Sequence, residues 1–180
     1  MYEISFFTVE IIFVLICAVA RVVCWLRNGM IAWKREAILF LMYINFAVII
    51  RFTFFPMAKV NGNVQPLLFD SATVFPFRVN LIPFVNLFDY DDKRDLFLNI
   101  IGNAAMFIPS GIVLPIIYKR LDSFWKVVVT GALISLTIEI IQLPFSMRVS
   151  DVDDLILNTS GVALGYCIYA LVRKLTGGHR

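Results

Sequence analysis

The sequence predicts an all-α, polytopic membrane helix bundle: five transmembrane helices, with a long interfacial loop between the second and third. Three observations predict it. The 180 residues are 60% hydrophobic and 16% charged, with a mean hydropathy of +0.84. Soluble domains run nearer half apolar and a quarter charged, and a small domain with this excess lacks the polar groups to cover its surface. Five apolar stretches reach the roughly 20 residues that a spanning helix needs. Lys and Arg gather at three places, which fall on one side of a membrane if the spans number five. A single integral-membrane domain over residues 1–180 is expected, with no internal repeat and no low-complexity linker.

The spans fall at about 4–26, 37–55, 96–118, 124–143 and 155–172. The first is not read as a cleavable signal peptide. It has no basic leading region, its apolar run is long, and its basic residues follow it. Arg27, Lys34 and Arg35 lie between spans one and two. Lys119, Arg120 and Lys126 surround the turn between three and four, and Arg173, Lys174 and Arg180 close the chain. Positive charge marks the cytoplasmic side, so the N-terminus is expected outside and the C-terminus inside.

The connection from 56 to 95 is long for a compact fold. Its stretch "LLFDSATVFPFRVNLIPFVNLF" (67–88) is rich in Phe, Leu and Val, yet Pro66, Pro76 and Pro83 break it too often for a spanning helix. It is read as lying at the outer interface or folded back over the bundle. "DYDDKRD" (89–95) then returns the chain to water and starts helix three.

A net charge of +3 with no basic run longer than two residues speaks against nucleic acid as a partner. Cys17, Cys24 and Cys167 sit in apolar segments without CxxC or zinc spacing, which predicts buried, reduced, structural thiols. The lone histidine, His179, lies in the polar tail "TGGHR", away from any chemistry.

The polar residues inside the spans are the informative ones. Asn99 and Asn103 lie four apart on one face of helix three, with Asn103 about 10 Å below its outer end. Glu139 and Gln142 share a face of helix four, and Asp154 and Asn158 a face of helix five. Glu139 and Asn158 each lie about 6 Å below the outer ends of their helices. Three helices thus place polar pairs in one outer layer, while the inner halves carry far fewer. A charge in mid-helix costs about 2.5–3.5 kcal/mol on insertion scales, so such groups should face the bundle interior and pair there. The expectation is an outward-facing polar pocket, with the acids of 151–154 at its edge and Asn158 as its floor or wall.

Structural roles compete for each of these residues. Ser150 with Asp153 fits a capping box for helix five, and acids suit a helix N-terminus. Asn99 and Asn103 suit interhelical hydrogen bonding. Glu139 needs Arg148, Arg78 or a proton as its partner. Glu10 and Arg51, at similar outer depths, are read as a structural ion pair, and Arg21 as snorkelling to the inner interface. Gly161 and Gly165 form a GxxxG that follows Asp154 and Asn158 along one stripe, which permits a close helix neighbour. Pro109 is expected to kink or break helix three and so help shape a cavity.

Five blocks in order carry a family resemblance: "RVNLIPF" (78–84), "NIIGNAAMFIPSG" (99–111), "SLTIEIIQ" (135–142), "RVSDVDDLILNTSG" (148–161) and "GY" (165–166). Together, over about 78–166, they resemble the VanZ-like family of bacterial membrane proteins. The first two helices carry no motif of it. The resemblance implies a multi-pass protein of the bacterial plasma membrane with a role in glycopeptide resistance, typified by teicoplanin resistance in Gram-positive bacteria. It implies no settled chemistry. Carried onto this sequence, the family's polar positions are Arg78, Asn80, Asn99, Asn103, Glu139, Gln142, Arg148, Asp151, Asp153, Asp154 and Asn158.

Three readings of the pocket follow. In the first it binds a membrane lipid, a lipid-linked wall precursor or a lipoglycopeptide, with Arg78 and Arg148 on phosphate or carboxylate and the amides on sugar or peptide groups. In the second it is an intramembrane enzyme, with Glu139 as the candidate catalytic base and a divalent cation held by Asp151, Asp153 and Asp154. No paired nucleophile and base is visible, which leans against it, and no cofactor is otherwise expected. In the third the protein is a structural partner of an envelope protein. The sequence leaves the ligand and the oligomeric state open.

Overall fold

Length and apolarity do produce five helices that can cross a membrane. The structure, a computed structural model, describes residues 2–55, 59–60, 62–70, 78–85, 93–146 and 148–177. His179, Pro76, most of "DYDDKRD" and residues 71–77 and 86–88 of the loop's aromatic stretch lie outside them. The helices are α1 (Phe6–Asn28), α2 (Trp33–Phe54), α3 (Lys93–Ile117), α4 (Phe124–Gln142) and α5 (Val152–Leu175). Their ends follow local chemistry. The Ser5 side chain caps α1 by accepting from Thr8 N, and Gly29, at a positive φ of 67°, closes it.

Short strands knit one end of the bundle, here called the loop end. They are β1 (Tyr2–Ile4), β2 (Lys59–Val60), β3 (Asn63–Val64), β4 (Leu67–Phe69), β5 (Val79–Asn80) and β6 (Ser150–Asp151). β1 pairs antiparallel with β4, β2 with β3, and β5 runs parallel to β6. Asp70 N donates to Pro144 O and Ser146 N to Leu68 O, each at 3.0 Å. The described parts of the loop are therefore folded back across the α4–α5 connection. Burial of Phe54, Phe55, Leu67 and Phe145 seals this junction. The opposite, turn end holds the α1–α2 and α3–α4 connections and the end of α5.

The core sits among α2–α5, around Met42, Ile49, Phe107, Leu114, Val127, Val162 and Tyr166. α3 and α5 make the closest approach. A Cβ on Gly161 would collide with the Ala104 carbonyl, one on Gly165 with that of Ile108, and one on Gly111 with that of Val162. The GxxxG stripe thus meets a reciprocal glycine on α3, as small-residue packing in lipid requires. α1 buries no residue within the protein.

Several expectations need correcting. α3 stays helical through Pro109 and Pro115, so Pro109 does not break it. Asn45 Nδ2 of α2 bonds Met106 O at 2.8 Å, one position beyond the carbonyl that Pro109 leaves without its helical donor. Arg21 does not snorkel; it forms an ion pair with Glu36 of α2, a partner close at hand across a short turn. The cysteines are not core thiols: Cys17 and Cys24 are half-buried and Cys167 is exposed on the outward face of α5. A membrane helix faces lipid with apolar groups, so an apolar setting does not imply burial in protein.

Candidate functional site

The buried face of α4 repeats every four residues inward from the loop end: Glu139, Ser135, Gly131, Val127. α5 answers it with Asp153, Asn158, Gly161 and Val162. These stripes meet as layers of falling polarity. In the outermost, Asp151 N donates to Glu139 Oε2 at 3.0 Å, and Asn103 Nδ2 from α3 donates to Asp154 Oδ1 at 2.6 Å. The Asp154 charge lies close enough to Glu139 to act on it, and both carboxylates act on Arg148. One turn deeper, Asn158 Nδ2 donates to Ser135 Oγ at 3.0 Å. Deeper still Val162 packs against Gly131, where a Cβ would come within 2.5 Å of its side chain.

The loop supplies the rim. Backbone pairing of Asn80 with Asp151 puts the Asn80 amide 3.2 Å from both Asp151 carboxylate oxygens. Phe84 N donates to Asp153 Oδ1 at 2.8 Å, and Phe84 holds a left-handed φ of 64°. A bulky residue there carries strain that the surroundings must impose, and such strain gathers at binding sites and clamps. Asp151, not Ser150, is the N-cap of α5, accepting from Asp153 N at 2.9 Å. The helix starts one residue later than a Ser150 cap would need, so the expected Ser150–Asp153 capping box does not form.

Arg148 stands between these groups and the α2 end. Its Nε donates to Phe54 O at 3.0 Å, but Nη2 is buried without a hydrogen-bond partner among the described residues. Burial pulls its guanidinium below the ordinary arginine value, and the nearby Asp154 carboxylate pulls it back; an arginine stays cationic throughout. Asp153 Oδ2 and Asn158 Oδ1 are likewise buried without a partner. Buried polar atoms are nearly always satisfied, so these mark places for a water or a ligand atom.

Most of the candidate residues meet in this cluster, and some do not. Asn80, Asn103, Glu139, Arg148, Asp151, Asp153, Asp154 and Asn158 come together. Asn99 is half-buried one turn further out on α3. Arg78 is exposed and donates to Ser146 O at 2.7 Å. Gln142 turns toward α2, giving its amide to Thr53 O at 2.5 Å. Arg51, expected to pair with Glu10, donates to Phe55 O at 3.1 Å and stands over the Phe6 and Phe52 rings, while Glu10 Oε1 is buried without a donor among the described residues. The carboxylates of 151–154 diverge to Asn80, Phe84 N and Asn103. Among the described residues no group of three acids, histidines or cysteines has the geometry to hold a metal ion.

Sequence reasoning missed Ser135, fully buried beneath Glu139, and the Asn45–Ser110 bond of 2.7 Å that ties α2 to α3. The four-residue spacing of Ser135 from Glu139, and an amide alone in the apolar second span, were the available signals.

The sequence profile of VanZ/LLP1 matches residues 39–173, from within α2 to near the end of α5, and so takes in the whole cluster. The chain belongs to the VanZ/LLP1 family. VanZ/LLP1 similarity thus reaches beyond the blocks of 78–166 and into α2, where no motif was expected. The chain is 33% identical over 111 residues to Protein VanZ of Enterococcus faecium, an alignment covering 60% of this chain and 64% of that protein. It therefore spans somewhat less than two thirds of that VanZ relative. No solved structure matches the chain.

Proposed function

We propose that this protein acts in the plasma membrane of Gram-positive bacteria to lower susceptibility to glycopeptide antibiotics of the teicoplanin type, by binding an anionic envelope ligand at the loop-end cluster. The ligand class is a membrane lipid, a lipid-linked wall precursor or a lipoglycopeptide. Family membership supports the resistance role. One observation carries the binding role: Arg148 is anchored through Nε while its buried Nη2 has no partner among the described residues. A buried cationic donor left unsatisfied is costly, and a phosphate or carboxylate would satisfy it with a charge-assisted hydrogen bond. Binding is favoured over catalysis because the carboxylates of 151–154 diverge to separate donors rather than converge on one point. The basic residues of the turn end favour a cytoplasmic turn end and an extracellular loop end.

The test is susceptibility to teicoplanin in cells expressing wild type, Arg148→Lys or Arg148→Ala at matched levels, with binding of labelled lipid carrier or antibiotic to each purified protein. Loss of both protection and binding in Arg148→Ala is expected. Protection retained in full by Arg148→Ala would refute the proposal. Impermeant maleimide should label a single cysteine placed at Val149 in intact cells but not one placed at Arg120; the reverse pattern would overturn the orientation.

A further inference from the structure

At the turn end, remote from that cluster, a groove of about 510 Å³ opens between α2 and the end of α3. Its walls are Ile38, Ile116 and Ile117, and its mouth is Arg35, Lys119 and Arg120, with Tyr118 beside them. Among the described residues no carboxylate lines it. The ion pairs at this end, Arg21–Glu36 and Arg173–Asp122, involve none of the three cations. Three positive charges therefore share one mouth, none of them in an ion pair among the described residues, and the acids that flank it, Glu36 next to Arg35 and Asp122 near Lys119, are already paired with Arg21 and Arg173.

The depth of the groove is set by aromatic residues. Trp33 and Trp125, 74% and 72% exposed at the starts of α2 and α4, and the half-exposed Tyr118 ring this end. Exposed Trp and Tyr at helix ends sit at the headgroup level of a bilayer. Arg35 and Ile38, three apart on α2, share a face, with the charge at the surface and the isoleucine a turn deeper.

We propose that this groove binds an anionic phospholipid of the adjoining leaflet, its phosphate between Arg35, Lys119 and Arg120 and an acyl chain along Ile38, Ile116 and Ile117. Charge complementarity chooses this occupant. Basic recesses between spanning helices at headgroup depth take anionic headgroups, and the isoleucine walls suit a chain that stays attached. The bound lipid would splint α2 to α3 on the side away from the loop-end cluster. The site stands whether or not the loop end binds an antibiotic or wall precursor.

The test uses the purified full chain in detergent, with added dioleoylphosphatidylglycerol or dioleoylphosphatidylcholine retained as adducts in native mass spectrometry. Wild type should retain phosphatidylglycerol in preference. Removing two cations in Arg35→Gln/Arg120→Gln should weaken that retention about 25-fold, at roughly fivefold per charge, and Arg35→Lys/Arg120→Lys should keep most of it. Lys34→Gln/Lys174→Gln removes equal charge from the same end outside the groove and should stay within about twofold of wild type. Ile116→Trp fills the groove without altering charge and should also displace the lipid, which keeps the test open if the double glutamine variant fails to fold. Equal retention of both lipids, equal loss in the Lys34/Lys174 control, unchanged retention in Ile116→Trp, or displacement of the lipid by millimolar inorganic phosphate would each overturn the assignment.

Discussion

Asn103 on α3 gives its amide to Asp154 on α5 at 2.6 Å, across a separation of 51 residues. The bond lies at the loop end of the tightest helix pair in the bundle, and it gives a carboxylate within the apolar layer a direct donor. Replacing Asn103 by Leu removes the donor and leaves the half-buried acid without it. A loss of about 1–3 kcal/mol is expected, read as a lower melting temperature of the purified protein. Asp154→Asn in the Asn103→Leu background should recover much of it, because a neutral amide tolerates the apolar site better than an orphaned carboxylate. Failure of that rescue would show that the bond matters little to stability.

The α3–α5 contact makes a sharper prediction. Gly161→Ala and Gly165→Ala place a Cβ against the carbonyls of Ala104 and Ile108. Neither backbone can yield without moving a helix, so each should cost about 1–3 kcal/mol. Gly102→Ala, in the same α3 but with nothing within 4 Å of its Cβ position, should be neutral or gain up to about 1 kcal/mol from helix propensity. Equal melting temperatures for all three variants would contradict the close packing.

Asp151 serves two ends at once, capping α5 and holding Asn80. Asp151→Ala should cost about 1 kcal/mol from the cap alone. It should also free the 78–85 segment, seen as faster proteolysis there in detergent. Asp151→Asn keeps an acceptor for Asp153 N and should retain most of the stability. Uniform cleavage rates across the three proteins would argue that the strand pairing alone holds the segment.

Glu139 accepts from Asp151 N through one oxygen, which Gln can do as well. Glu139→Gln should therefore keep the fold, with a melting temperature close to wild type, whereas Glu139→Leu leaves a backbone donor unsatisfied and should lose about 1–3 kcal/mol. If the carboxylate charge itself serves the ligand site, Glu139→Gln will lose teicoplanin protection while keeping its stability. Protection equal to wild type would confine Glu139 to a structural role.

Dioleoylphosphatidylglycerol should also raise the melting temperature of wild type more than dioleoylphosphatidylcholine does, and the difference should shrink in Arg35→Gln/Arg120→Gln. Ligand that binds only the folded state stabilises it by mass action. An equal response in the double variant would separate lipid binding from stability.

By itself the sequence determined the five spans, within a few residues at most ends, the end of the bundle that carries the polar layer, and the glycine stripe of α5. Each depends on composition, length and period along one segment, because the cost of placing a polar group in hydrocarbon is paid locally. Tertiary structure alone decided the partners. Asp151 rather than Ser150 caps α5 because the strand pairing with β5 runs through Asp151 and the helix starts only at Val152. Gln142 leaves the cluster because the α2 end offers it the Thr53 carbonyl. Ser135 and Asn45, whose partners lie on other segments, become site and strut because helix crossing brings Asn158 and Ser110 to them. Which side chains meet depends on the rotation and register of one helix against another, set by where backbones can touch at Gly111, Gly161 and Gly165, and no single segment carries that information.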